Sequence, residues 1–209
     1  MKKKKIKVLT QIVLILIELI NYNFMEKLID SLKNWLKDNV HMESPLKEGA
    51  SDKEFAALED KLQVQLPEDF KQFYKFHNGQ SEDAPYITPL GEMLSLEGIA
   101  FQWELWKGLV DDNVFEDNNS EPDEGIKDDW YNPKWIPFTY DGSGNHLCID
   151  LDPAEGGKVG QVITMWHDGS ERELIAGSFN EWLALFVQQL NDGYFRYDHE
   201  MGNLERLKW

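Results

Sequence analysis

Between residues 25 and 39 the apolar side chains Leu28, Ile29, Leu32, Trp35 and Leu36 recur at three- and four-residue intervals, which places them on one face of a helix. A second helix is predicted behind Ser51, where the Ser51 hydroxyl and the Glu54 carboxylate spell a capping box and Phe55, Leu58 and Leu62 form the buried stripe. A third is predicted to open at Pro67, with Glu68 and Asp69 at its positive end and Gly79 as a left-handed stop. Phe70, Phe73, Tyr74 and Phe76 give it a large aromatic surface. Beyond Gly79 the period shortens. Strands are predicted at 136–140, 146–151 and 159–166, and Asp168-Gly169 turns the chain into a further strand at 172–176. Ser178 and Glu181 spell a second capping box, ahead of a last helix carrying Trp182, Leu183, Leu185, Phe186 and Leu190 and ended by Gly193. Helices first, strands in the middle and a helix last is the pattern of an α+β domain, with the helices packed on one face of a mostly antiparallel sheet.

Two segments break this pattern. Residues 109–130 crowd Asp111, Asp112, Glu116, Asp117, Glu121, Asp123, Glu124, Asp128 and Asp129 around Pro122 and Gly125, and are predicted to form a long, mobile surface loop. The first 24 residues, MKKKKIKVLTQIVLILIELINYNF, pair a basic start with an apolar run interrupted by Gln11 and Glu18. That run is short for a membrane span and of a length that suits a signal-peptide core, yet no small-residue cleavage pattern follows it. Three readings follow, in order: an upstream start assigned in error, an uncleaved membrane anchor, and a secretory signal. The organisation predicted is therefore an extension at 1–24 and one domain at 25–209, which is expected to fold without the extension and to be cytoplasmic, or membrane-anchored if the extension is retained.

Charge and cysteine usage narrow the function. Of the 209 residues, 21 are Lys or Arg and 38 are Asp or Glu, a net charge of −17. The extension holds Lys2, Lys3, Lys4, Lys5 and Lys7 against Glu18, which leaves 16 basic and 37 acidic residues, a net of −21, over residues 25–209. Such a surface repels a phosphate backbone and steers basic partners toward itself, so nucleic acid is not expected as a ligand. Cys148 is the single cysteine, so no intrachain disulfide or thiolate cluster is possible, and its place in Leu147-Cys148-Ile149 suits a buried thiol.

Candidate chemistry is sparse. Asp150, Asp152 and Glu155 cluster as calcium ligands do, but they lack ordered ligand spacing and sit with Pro153 and Gly156-Gly157 in what reads as a turn. Ser143, His146 and Asp150 invite a triad, but residues so close along a turn and a strand point to alternating faces, and no nucleophile elbow is present. The glycine pairs lack the strand-to-helix setting of a phosphate loop. His41, His77, His146, His167 and His199 show no metal-ligand spacing. No metal, cofactor or catalytic residue is assigned. Among the tryptophans, Trp35, Trp135 and Trp182 read as core. Trp103, Trp106 and Trp130 flank the acidic segment outside any clean period, and read either as an interaction surface or as a small second core over the sheet's open side.

The Leu66-Pro67 helix start closing in Asn78-Gly79, the strand start Trp135-Ile136-Pro137, Ile149-Asp150-Leu151-Asp152-Pro153, Gly160-Gln161-Val162 and the closing Ser178-Phe179-x-x-Trp182-Leu183 occur together, in order, between residues 51 and 195. In this order they resemble the SMI1/KNR4 family of the SUKH superfamily. The resemblance implies a single α+β domain with a central, mostly antiparallel sheet. It also implies a non-catalytic protein-binding module, an immunity protein that neutralises a cognate polymorphic toxin with a basic toxin domain as partner. The alternative is a cell-wall (glucan) assembly or regulatory protein, with binding of, or action on, a cell-wall glycan as a further reading that would need a concave site with a perturbed carboxylate pair. The partner-binding residues expected are Trp103, Trp106, Asp111, Asp112, Asp128 and Trp130.

Overall fold

The structure, a computed structural model, describes residues 2–42 and 45–208, with side chains before residue 19 described only at Val13 and Leu16. Helix α1 (Lys2–Val40) is unbroken, so no helix start marks residue 25. No Gly or Pro interrupts residues 2–40, and nothing in that run caps a helix at Met25. Burial sets in there all the same: Met25, Ile29, Leu32, Leu36 and Val40 are buried, Trp35 is half-buried, and no described side chain before Met25 is buried.

Helix α2 (Asp52–Leu62) forms both arms of its capping box, the Ser51 amide donating to Glu54 Oε2 at 2.8 Å and the Glu54 amide to Ser51 Oγ at 3.4 Å. Helix α3 (Glu68–Phe76) starts one residue later than its proline suggests, with Pro67 at the cap position. Asp69 takes over as anchor, its carboxylate accepting from the amides of Phe70 (2.9 Å) and Asn180 (3.0 Å).

The chain then forms β1 (Glu92–Met93), α4 (Leu96–Asp111), β2 (Glu121–Pro122), β3 (Trp135–Pro137), β4 (Thr139–Tyr140), β5 (His146–Asp150), β6 (Gln161–Met165), β7 (Glu171–Arg172), β8 (Leu174–Ala176), α5 (Phe179–Asn191) and a closing hairpin of β9 (Phe195–Asp198) and β10 (Asn203–Arg206). The central sheet has the order β3-β5-β6-β8, antiparallel throughout. β1 pairs with β4 beside it, and β2 pairs with β7 in parallel. The Ser178 cap of α5 accepts from the Glu181 amide (3.2 Å), but the returning carboxylate arm takes the Gly177 amide (3.0 Å) instead of Ser178's own.

Strand alternation gives the sheet two apolar faces. Ile136, Phe138, Leu147, Ile149 and Val162 point into the main core, formed with α1, α2, α3, α5 and one side of α4. There Phe70, Phe73, Phe138, Phe179 and Trp182 interlock at centroid distances of 4.8–6.4 Å, mostly edge-on or tilted, as ring quadrupoles prefer. Trp135, Cys148, Ile163 and Met165 point the other way and are covered by Trp106, Ile126 and Tyr131. The expectation of helices on one face only is corrected accordingly: α4 and the acidic segment close the second face.

Candidate partner-binding surface

Helix α4 starts at Ser95, whose hydroxyl accepts from the Gly98 amide at 3.2 Å, and buries Leu96, Ile99, Gln102, Trp103 and Trp106. Its period is blurred in the sequence because the opposite face is apolar too. Phe101, Leu105 and Leu109 repeat every fourth residue there and remain 58%, 52% and 38% exposed, followed by Val114 at 54%. The expectation that Trp103 and Trp106 lie outside a periodic element is thus corrected: they are helical, at 7% and 8% exposure.

The acidic segment is also less loop-like than its composition suggests. The Glu121 amide donates to the Ser170 carbonyl (2.7 Å), the Asp123 amide to the Arg172 carbonyl (2.8 Å), and the Leu174 amide to the Asp123 carboxylate (2.8 Å). Gly125, at φ +87°, offers its carbonyl to the Gln161 side chain (3.0 Å) and the Ala154 amide (3.1 Å). A Cβ at Gly125 would lie 2.8 Å from the Gly157 backbone, so only glycine permits this approach. Beneath it the fully buried Arg172 donates to the carbonyls of Gly169 (2.8 Å), Glu171 (2.7 Å) and Trp130 (2.6 Å), and its guanidinium lies 5.1 Å from the Trp130 ring centre. Burial without a carboxylate partner pulls the Arg172 pKa down to about 10. The like charges face water here while Glu121, Asp123 and Gly125 tie the main chain to the neighbouring strands, an order that composition alone does not convey.

The expected binding residues divide between two layers. Trp106 and Trp130 flank Phe115, at centroid distances of 5.8 and 6.5 Å, and Trp106 also meets Tyr131 at 5.4 Å. Trp106 Nε1 donates to His146 Nε2 (3.0 Å), and His146 Nδ1 meets the Thr139 carbonyl at 2.6 Å, which fixes a neutral imidazole protonated on Nδ1. Trp103 belongs to the main core and donates from Nε1 to the Pro133 carbonyl at 2.7 Å. Both indoles are structural supports and present almost no surface to a partner. Asp111, Asp112 and Asp128 are exposed, Trp130 is half-buried, and Asp111 is bridged by Lys107 one turn back.

The other candidates resolve locally. Asp152 is held below the usual carboxylate range by Lys127 (2.6 Å) and Asn132 (3.1 Å), while the buried Asp150, its pKa raised by burial, accepts from Gln161 (2.8 Å) and the Asp152 amide (2.9 Å). Among the described residues no group of three or more His, Cys, Asp or Glu could hold a metal. His146 and Asp150 share a sheet face with Cys148, contrary to the alternation expected for the triad candidates, but Ser143 bonds Asp141 (2.8 Å) and no hydrogen bond joins the three. Burial pushes the Cys148 thiol up, away from thiolate chemistry. Grooves of about 360 Å³ beside Lys61 and Glu97 and about 400 Å³ beside Trp166 and Trp182 are lined by neither Asp150 nor Glu92, the carboxyls raised by burial.

The family model described as "SMI1 / KNR4 family (SUKH-1)" matches residues 49–185. The chain belongs to the SMI1/KNR4 family. It is 27% identical over 194 residues to the "Cell wall biosynthesis/cell cycle regulator smi1" of Schizosaccharomyces pombe, with 84% of this chain and 38% of that protein covered. It is 24% identical over 210 residues to the "Cell wall assembly regulator SMI1" of Saccharomyces cerevisiae, covering 78% and 41%. A third relative, the "Glucan synthesis regulatory protein" of Neurospora crassa, is 23% identical over 216 residues, covering 84% and 40%. These relatives are named as regulators, and the chain spans about two fifths of their length. The family match runs from before α2 into the first half of α5 and leaves out α1 and the β9–β10 hairpin. Among the described residues no helix is long and apolar enough to cross a membrane.

Proposed function

We propose that the chain is a non-catalytic protein-binding module that regulates cell-wall (glucan) assembly, engaging its partner through the acidic edge at the end of α4 and along residues 112–130. The observation that carries this reading is the fixed presentation of charge: Asp111, Asp112, Glu116, Asp117 and Asp128 face solvent while Phe115, Ile126 and Tyr131 anchor the same stretch to the sheet. A rigid acidic edge recognises a basic surface, speeding encounter and setting orientation. The names of the fungal relatives support the cell-wall context. The second reading, an immunity protein that neutralises a basic toxin domain, is favoured by the net charge of −17 alone.

Deleting the gene in its own host tests the proposal. The cell-wall reading expects sensitivity to a wall-perturbing dye, rescued by the natural chain and not by Asp111→Lys, Asp112→Lys, Asp128→Lys and Asp129→Lys combined. Unchanged dye resistance in the deletion strain argues against the cell-wall reading. Full rescue by the fourfold variant argues against the surface.

A further inference from the structure

We propose that the exposed face of α4 is a docking site for the basic, apolar stretch of residues 2–20 from a second copy of this chain. The inference goes beyond the regulatory reading and does not depend on it. Three observations converge.

The first is shape. Phe101, Leu105 and Leu109 form an unpartnered ridge on a helix whose other face is already buried. A rotation of about 100° per residue sets Gly108 and Asp112 on the same face, each within about 20° of Phe101. A Cβ at Gly108 would meet nothing within 4 Å, so the helix is locally bare there. Glycine within a helix costs up to about 1 kcal/mol relative to alanine, and here, in the last turn of α4, it leaves a shelf on which another helix can approach closely.

The second is charge. Asp111 and Asp112 end α4 with no basic residue in its last turn, so they oppose the helix dipole. Asp112, Glu116 and Asp117 are exposed, and none makes an ion pair among the described residues. A cationic, apolar helix satisfies both parts of this face.

The third is supply. Lys2, Lys3, Lys4, Lys5 and Lys7 adjoin an apolar run, and the described Val13, Leu16, Leu19 and Ile20 are 51–65% exposed. Exposed apolar area on this scale marks a contact surface. It cannot be the chain's own α4 that receives it. α1 is unbroken to Val40 and packs on α3 and α5, whereas α4 packs on α2. A copy that donates residues 2–20 while accepting its neighbour's on α4 makes the contact twice, once in each direction, which is an isologous twofold dimer; the same contact made in one direction only is head-to-tail. Docking also covers Asp111 and Asp112, so self-association and a basic partner compete for one edge.

Sedimentation velocity on the full chain at low and high salt tests this, with Leu105→Glu and, separately, Lys2→Glu, Lys3→Glu, Lys4→Glu and Lys5→Glu combined. Circular dichroism melts check that each variant folds, and Phe101→Asp serves as a second variant of the face. The natural chain should self-associate at low salt and dissociate at high salt, and each variant alone should be monomeric. An equimolar mixture of Leu105→Glu with the fourfold Lys variant should regain a 1:1 complex, since each supplies the half the other lacks. A natural chain that stays monomeric at low salt overturns the proposal. So does association that survives both Leu105→Glu and Phe101→Asp, or a mixture that remains monomeric.

Discussion

Protonating His146 should destabilise the fold at the face of the sheet that supports the acidic edge. Its imidazole is fully buried between the Trp106 indole and the Thr139 carbonyl, and stacks on Tyr140 at 5.4 Å. Burial lowers its pKa from 6.5 to about 4, outweighing the Thr139 hydrogen bond and the Asp141 charge, both of which favour the cation. The unfolded chain therefore takes up this proton first as pH falls. The stabilisation is complete above about pH 6.5 and is lost as pH falls from there toward 4. Linkage over those two values gives a loss of about 2–3 kcal/mol between pH 7.5 and 4.5. Urea unfolding of the natural chain and of His146→Gln across that range isolates the effect, because carboxylates common to both proteins cancel in the difference. The natural chain should lose its advantage over the variant as the pH drops. A difference that stays flat would show that His146 is not held neutral, and would remove the Trp106–His146–Thr139 support from the account.

Three further substitutions probe the same architecture. Trp135→Ala empties the centre of the second core and should cost about 3–5 kcal/mol by urea unfolding, because the indole is fully buried. Arg172→Lys keeps the charge but loses the planar fork, stranding carbonyls of Gly169, Glu171 and Trp130, and should cost about 1–3 kcal/mol with faster hydrogen exchange at the Asp123 amide. Gly125→Ala forces a side chain into φ +87° against the Gly157 backbone and should destabilise by about 1–3 kcal/mol, whereas Gly108→Ala should stabilise by up to about 1 kcal/mol.

Local signals carried most of the fold because they depend on near neighbours. Ser51 with Glu54, Ser178 with Glu181 and the alternation through Leu147, Cys148 and Ile149 each encode a cap or a face within a few residues. α4 escaped because a helix apolar on two faces has no single stripe: Phe101, Leu105 and Leu109 mask the period of Leu96, Ile99, Trp103 and Trp106. The β9–β10 hairpin escaped too; its strands, four residues each, interleave Phe195, Tyr197 and Leu204 with charges in a pattern too brief to declare itself. Residues 109–130 read as mobile because composition reports only the solvent side; what holds them is Arg172, a residue some forty positions downstream that no local pattern connects to Trp130. Of the expected site, the carboxylates at 111, 112 and 128 are on the surface and Trp103 and Trp106 lie beneath it, since an indole beside a charged segment is as easily a support as a contact.

Site-specific photo-crosslinking in the host tests most directly whether the acidic edge is where a partner binds. A photoreactive side chain at Asp112 should give one discrete adduct that disappears when Asp111 and Asp128 are changed to Lys, and the same group at the exposed Glu155 should give none. Equal adducts from both positions, or an Asp112 adduct indifferent to the charge reversal, would contradict the account.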